Sequence, residues 1–348
     1  MTKPETALCP LCNGPLVERF RIPHVWHQPP TSRAFDIHWC VDCDFGYLLP
    51  RPSPQELALY YGREYFDRYG RTLGLRPADE FFAAARPTLF DRLRVRLAWA
   101  LDAGTAVNAR TVHTVVGSRP AAICDIGCGN GDLLASLREL GHDVVGVEPD
   151  EDARRNARER GLRVCAGSAE RLPPTVSERR FDAAVMAHVL EHCLDPVSAI
   201  RNAAGLLGDD GWLIVEVPNA DSISARRSGV SWFHTDAGRH VNFFTVRSLA
   251  RIAGLGSLCV TRWLYGAYTV QFSNERMLAE QEIWDCLYTR KRGWSTGQRS
   301  RRASRLGLWW TLALSAFAGA SKRYDVVGFV ACKRPTCGSQ LTAGAGSL

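Results

Sequence analysis

From residue 121 the sequence alternates short apolar runs with helical ones, and that order leaves few folds open. "AAICDIG", "DVVGVEP", "RVCAGS", "FDAAVMAHV" and "GWLIVEVP" read as buried strands. "DLLASLRELG", "EDARRNARERG" and "DPVSAIRNAAGLL" read as the helices between them, the first two stopped by Gly141 and Gly161. Near-continuous apolar strands separated by helices predict a mostly parallel sheet covered on both faces, a doubly wound α/β fold. "LCVTRWLYG" (258–266) and "YDVVGFVACK" (324–333) predict two late strands.

The first turn of this pattern carries chemistry. "CDIGCGNGDLL" places Gly127, Gly129 and Gly131 between a strand and a helix, where α/β sheets take their ligands. A nicotinamide fingerprint would need its third glycine at Asp132, whose charge opposes a pyrophosphate. A triphosphate loop would need a Lys-Ser/Thr pair that is absent. A cofactor with a positive centre fits better. S-adenosylmethionine carries a sulfonium, an ammonium and a carboxylate. Asp125 is placed to attract the ammonium. Glu148 ends the next strand, about 20 residues after the first glycine, where a carboxylate accepts both ribose hydroxyl protons.

"CDIGCGNGDLL", "VVGVEPD", "GSAERLP", "FDAAVMAHVLEHCLDP" and "GWLIVEVPN" match, in order and spacing, the class I S-adenosylmethionine-dependent methyltransferases over about residues 120–220. The resemblance implies a seven-stranded Rossmann-like methyltransferase sheet whose final hairpin is reversed and comes from the two late strands. It implies that Asp125, Gly127, Gly129 and Gly131 hold the methionine part and Glu148 the ribose. Ser168, Ala169 and Glu170 fall at the adenine, and His188 near the sulfonium. Many relatives have aspartate at position 168; serine there shifts weight to the backbone of Ala169. Cys128, inside the loop, reads as a small packing residue.

Cys9, Cys12, Cys40 and Cys43 form two C-x-x-C pairs, "CPLCNG" and "CVDCDFG", each with a glycine shortly after its second cysteine. Such glycines allow a tight turn that aims backbone N–H groups at the thiolates. Four thiolates so paired suit a structural, tetrahedral Zn2+, with iron or redox thiols as the alternatives. His24, His27 and His38 lie nearby and read as surface or packing residues. Together with "FGYLLPRPS" and "YYGREYF", the pattern resembles the zinc-bearing N-terminal region of a bacterial methyltransferase group that modifies sugars, nucleotide-linked sugars and natural products. A zinc ribbon also resembles the front of certain ribosomal RNA guanine methyltransferases. The expected organisation is a zinc-ribbon-like module over 1–52 and a helical linker or lid region over 53–118. A methyltransferase domain follows over 119–335, its stretch 220–325 giving acceptor-side and C-terminal elements, and residues 336–348 form a disordered tail. Within the linker, Ser53, Pro54 and Glu56 announce a capped helix, and residues 79–101 read as another.

Methyl transfer to oxygen or carbon requires loss of a proton, and histidine is the side chain tuned for that near neutral pH. The candidates are His240 and His234, in "SWFHTDAGRHVNFFT" after the fifth strand, and His192 in "LEHCLDP"; His240 is the first choice. Asp236 is placed to orient a histidine or bind sugar hydroxyls. Between Cys286 and Ala320 stand Arg290, Lys291, Arg292, Arg299, Arg301, Arg302 and Arg305, with no acid. This stretch reads as a solvated loop before a helix, a clamp for a phosphorylated or nucleotide-linked acceptor, or a membrane-surface contact. It carries no nucleic-acid-binding signature. The 348 residues have a net charge of +7 and begin without an apolar leader, and the longest apolar run, 306–320, is shorter than the roughly 20 residues of a membrane span. With twelve cysteines and no leader, reduced thiols in a cytoplasmic setting are expected. The expected function is O- or C-methylation of a small, sugar-containing metabolite or natural-product intermediate. An RNA methyltransferase with a zinc ribbon, or a cofactor-binding protein without catalysis, are the alternatives.

Overall fold

The computed structural model describes residues 7–22, 34–59, 87–289 and 302–333. "YYGREYF", the tail 336–348, His24, His27, Arg290, Lys291, Arg292, Arg299 and Arg301 lie outside them. Its strands are β1 (Val17–Ile22), β2 (Phe35–Cys40), β3 (Phe45–Leu49), β4 (Ala122–Ile126), β5 (Asp143–Glu148) and β6 (Val164–Ala166). They continue with β7 (Phe181–Ala187), β8 (Leu207–Pro218), β9 (Asn242–Phe243), β10 (Leu258–Gly266) and β11 (Val326–Lys333). The chain groups into two compact units. One comprises Thr105–Val217, Arg247–Leu264 and Gly328–Leu348; the other comprises Met1–Gly104, Pro218–Val246 and Tyr265–Val327.

The first unit is built on a seven-stranded sheet of order β10-β11-β8-β7-β4-β5-β6. From β8 through β7, β4 and β5 to β6 every pairing is parallel. β11 runs against β8: Gly328 lies over Val215, whereas Asp325 receives the N–H of Asn219. β10 runs against β11 in turn, with the Thr261 hydroxyl on the Val330 carbonyl and Tyr265 beside Tyr324. This is the reversed final hairpin expected from the two late strands. The sheet forms because its strands are apolar on both faces. Ile123, Val185, Ile214 and Val330 share a buried cluster with Leu134 and Leu137 of the helix Asp132–Glu139. Local signals set the helix ends: the Asp150 carboxylate accepts the Ala153 N–H at the start of Glu151–Glu159, and Gly161 takes a positive φ at its end.

The other unit carries a four-stranded antiparallel sheet, β1-β2-β3-β9. Phe35, Ile37, Phe45 and Leu48 fill its core. Its last strand comes from far along the chain. Gly46 pairs with Phe243 and Tyr47 with Asn242, the Leu48 N–H reaches the Val241 carbonyl, and the Thr245 hydroxyl reaches that of Asp44. Ser53 and Glu56 make the expected capping box on Pro54–Leu59, each accepting the other's backbone N–H. The helix expected over 79–101 begins, among the described residues, at Leu89: Thr88 and Asp91 close a capping box there, and 79–86 lie outside the described residues. No helix among the described residues is long and apolar enough to cross a membrane.

Candidate functional site

At the end of β4, Gly127, Gly129 and Gly131 have φ of 74°, 53° and 79°, a region closed to most side chains. A methyl group on Gly127 would lie 2.5 Å from Val189 Cγ2, whereas none lies within 4 Å of the position beyond Gly129. The loop is therefore packed on one side and open on the other. Asp125 is 3% exposed and its carboxylate makes no hydrogen bond among the described residues. Burial, and then the nearby Glu148, push it up to about 8. The Glu148 carboxylate accepts two backbone donors, Gly129 N–H and Asp150 N–H, each at 2.9 Å. Burial raises its pKa while these two donors oppose the rise. Glu148 also feels the charge of Arg154, but among the described residues Asp125 has neither a hydrogen-bond donor nor a cation acting on it, and an ammonium is the chemistry that satisfies it.

The turn after β6 is braced from below. Ser168 and Arg171 exchange backbone hydrogen bonds, and Asn202 Nδ2 donates to the carbonyls of Ala169 (2.9 Å) and Glu170 (3.0 Å). The Glu170 carboxylate accepts the Asp195 N–H at 2.6 Å, so its side chain ties this turn to the loop after β7. Ala169 is buried.

His188 follows β7 with φ +56°. Its Nδ1 lies 3.2 Å from Glu191 and its Nε2 3.5 Å from Glu216. Burial opposes a charge on this ring, but hydrogen bonds to the two glutamates outweigh it and raise its pKa to about 10. The raised value keeps the His188 ring protonated at neutral pH between the two glutamates. The other Glu216 oxygen accepts the Val107 N–H at 2.8 Å, which fastens the segment before the helix Ala109–Val115 to the end of β8. Sequence analysis did not single out Glu191 or Glu216. The signal for Glu216 was available: it is the one charged residue in the otherwise apolar run "WLIVEVP". His192 lies on the same turn, Leu190–His192, partly buried, with its N–H on the Val189 carbonyl.

In the other unit the four cysteines come together. One sulfur from each of Cys9, Cys12, Cys40 and Cys43 lies within 4.8 Å of the rest, and Cys12 and Cys40 are 3.5 Å apart. Tetrahedral zinc with sulfurs at about 2.3 Å needs them roughly 3.8 Å apart, so the set fits. The Gly14 N–H donates to Cys12 at 3.3 Å, as the sequence suggests. The tight turns, however, fall on Asn13 (φ 59°) and Asp44 (φ 52°). Gly46 serves packing instead: a methyl there would lie 2.6 Å from the Trp39 ring. Burial raises the Cys9 thiol to about 12, and burial with neighbouring sulfurs raises Cys43 further. For Cys12, burial is outweighed by the Gly14 N–H and the other thiols, and its pKa falls. A cation among them is what would make all four thiolates.

The segment 219–245 sits in this unit on a buried ion network. Asp325 accepts from Ser222 (2.6 Å), Trp232 Nε1 (3.3 Å) and Arg276 (2.7 Å). Arg276 also donates to Glu280 (3.0 Å), which takes the Ser228 hydroxyl. None of Arg276, Glu280 and Asp325 stands out in the sequence; an Arg and Glu four apart on a helix read as a surface pair. His234 Nε2 accepts from Arg276 at 3.3 Å, so its lone pair is engaged. His240 Nδ1 lies 2.7 Å from the His234 carbonyl and must donate to it, which leaves the lone pair of a neutral ring on Nε2. Asp236 pairs with Arg239 at 2.8 Å. Arg302 pairs with Asp285 and Arg305 with Asp91, so these two arginines do not form an open phosphate clamp.

Residues 100–254 match the family model described as a methyltransferase domain. The ubiquinone biosynthesis O-methyltransferase of Azorhizobium caulinodans is 36% identical over 118 residues, covering 32% of this chain and 45% of that protein. The protein of the same description from Salmonella paratyphi A is 28% identical over 171 residues, covering 46% of this chain and 63% of that one. The chain thus spans between 45% and 63% of the length of these two relatives. Among solved structures, the Burkholderia thailandensis 1,6-didemethyltoxoflavin-N1-methyltransferase, with 1,6-didemethyltoxoflavin and S-adenosylhomocysteine bound, aligns at a TM-score of 0.44 and 17% identity, covering 88% of this chain and 98% of that one.

Proposed function

We propose that this chain, whose residues 100–254 match a methyltransferase-domain family model, is an S-adenosylmethionine-dependent methyltransferase that methylates a hydroxyl oxygen of a small molecule, a sugar-containing metabolite or natural-product intermediate. The observation that carries the cofactor reading is the unpartnered buried Asp125 beside the open glycine loop, with Glu148 held in place by two backbone N–H groups. In this reading Asp125 and the loop glycines Gly127, Gly129 and Gly131 take the ammonium and carboxylate, and Glu148 takes the ribose hydroxyls. The backbone at Ser168 and Ala169 takes the adenine, with Glu170 bracing that turn. His188, held between the Glu191 and Glu216 side chains, lies in this reading near the sulfonium. Bound S-adenosylmethionine supplies an activated methyl group on a good leaving group, so alignment contributes much of the rate. Cys9, Cys12, Cys40 and Cys43 hold a structural zinc, with no position left open for water.

Oxygen as acceptor follows the O-methyltransferase relatives. It asks for a base, and the His240 tautomer, with its lone pair on Nε2, supports that role. His234 is less suited because Arg276 occupies its Nε2; His192 stays as the second choice. The test is to incubate the purified protein with S-adenosylmethionine and a panel of hydroxylated aglycones, sugars, sugar nucleotides and ribosomal RNA fragments. The expected product is a small molecule one methyl heavier, with S-adenosylhomocysteine released in equal amount. Transfer to RNA alone overturns the acceptor class, and absence of cofactor binding by calorimetry overturns the cofactor site.

A further inference from the structure

Two neighbouring helices of the cysteine-bearing unit present apolar side chains to solvent. They are Leu89–Leu101 and Arg305–Ala316. Their neighbourhood is fixed by Arg305 on Asp91 at 3.2 Å and by a shared cluster of Ala98, Leu312 and Trp309 with Tyr268 and Phe272. On the second helix, Leu308, Thr311, Leu312 and Ser315 face inward. Leu306, Trp310, Leu314 and, just past its end, Phe317 recur at spacings of four, four and three, and form a stripe on the opposite side. Phe317 is 94% exposed and Leu306 83%. A helix that is apolar on both faces has only one of them satisfied by the fold. The first helix repeats the pattern: Phe90, Leu93, Leu97 and Leu101 form an exposed stripe beside the buried Asp91, Arg94 and Ala98. Scattered exposed leucines need no explanation, but a stripe on each of two neighbouring helices, with exposed Trp99 and Trp310, does.

Charge tells what covers them. No acid occurs between Asp285 and Asp325, while that stretch is rich in arginine and lysine. On the described residues, Arg92, Arg96 and Lys322 are exposed and make no ion pair among the described residues. The one acid of the first helix, Asp91, is buried, and its capping hydrogen bonds from Thr88 and its bond to Arg94 outweigh burial and hold it down to about 2. Apolar stripes of Leu, Phe and Trp flanked by unpaired cations match the interface of an anionic bilayer, where rings enter the acyl boundary and cations meet headgroups. A second copy of the chain would bring the same cations face to face. We infer that these two helices dock the protein on the surface of an anionic lipid membrane, with the stripes 90/93/97/101 and 306/310/314/317 buried at the headgroup boundary.

The experiment uses the full-length protein and sedimenting vesicles of phosphatidylcholine, with and without phosphatidylglycerol. The protein is expected to co-sediment with the anionic vesicles, less with the neutral ones, and less again at high salt. Trp310→Ser with Phe317→Ser should weaken vesicle binding by at least about tenfold, since two large side chains lose their burial. Because both are exposed, the double variant should keep the wild-type circular dichroism and melting point. Replacing Arg92, Arg96 and Lys322 by Gln should remove most of the preference for phosphatidylglycerol. No co-sedimentation of a folded wild type with either vesicle overturns the proposal. So does a wild-type dimer, seen by sedimentation velocity, that the serine variant converts to monomer with no vesicle binding in either form, because the stripes would then cover each other. Vesicle binding that survives both sets of substitutions places it elsewhere on the chain and overturns this assignment.

Discussion

The two sheets of this protein are made in different ways. The parallel core β4 to β8 is assembled from segments that follow one another along the chain, and each strand is apolar enough to announce itself. The four-stranded sheet carries the cysteines at one end of the sequence and recruits β9 from beyond β8, pairing Gly46 with Phe243. In the first, each strand–helix step contributes its own hydrophobic face, so stability comes from area removed from water. In the second, the strands are short and the apolar core small, so cross-linking by a metal has more to contribute. The difference teaches where to look for weakness: the sequential sheet should outlast the recruited one.

Removing metal is the sharpest way to break that comparison. Structural zinc in small cysteine sites contributes about 10–16 kcal/mol of apparent binding free energy that is also folding free energy. Elemental analysis should find about one zinc per chain, and Cys40→Ser should lose it. Hydrogen exchange should then show β1, β2, β3 and β9 opening while β4, β5 and β7 stay protected. Simultaneous loss of protection in both sheets would erase the distinction between them.

The next effect is on turnover. His240 and its neighbours hang on the recruited strand, so His240→Ala should cut the rate on the true acceptor by roughly 100-fold while cofactor affinity hardly changes. Full activity in that variant removes His240 from the chemistry and brings His192 forward. Smaller again is Glu148→Ala, which acts only on the sequential unit. It should weaken S-adenosylmethionine binding by about 1.5–3 kcal/mol and leave the zinc content untouched. Calorimetry checks the first part, and unchanged affinity in a folded variant argues against the ribose assignment.

The smallest expected effect concerns pH. Asp125 is pushed up to about 8 from an ordinary value near 4, by burial first and Glu148 second. Its folded form thus holds a proton that the unfolded chain has released, and stability without cofactor falls as pH rises from about 4 to about 8. Asp125→Asn should therefore raise the melting point by a few degrees at pH 8 and leave it nearly unchanged at pH 4. An equal gain at both pH values would show that charge at this position is not what strains the empty loop.

Much of the sequential unit was legible beforehand. The glycine loop, Glu148, His188 and both late strands lie where the residues indicated, because periodicity and turn chemistry are local properties of the chain. Glu170 was legible as a position and not as a role, since its bond to the Asp195 N–H depends on a loop some distance along the chain. Glu216 was legible as a charge in an apolar run but not as a partner of His188, because β7 and β8 must pair before its carboxylate faces the ring; Glu191 meets His188 locally, three residues along the same turn.

By itself the sequence determined a doubly wound sheet, a glycine loop between its first strand and the helix that follows, and two cysteine pairs spaced for a metal. Each is fixed by residues within a few positions of one another. Only the tertiary structure decided that Asn242 and Phe243 become the fourth strand of the cysteine-bearing sheet, and that Arg276, Asp325 and Glu280 bury their charges against one another. It also decided that Leu306, Trp310 and Phe317 face outward. A short strand such as β9 has no period of its own to read, and a buried ion pair looks in sequence like a surface one. Which face of an all-apolar helix the fold covers is settled by the neighbours that pack against it.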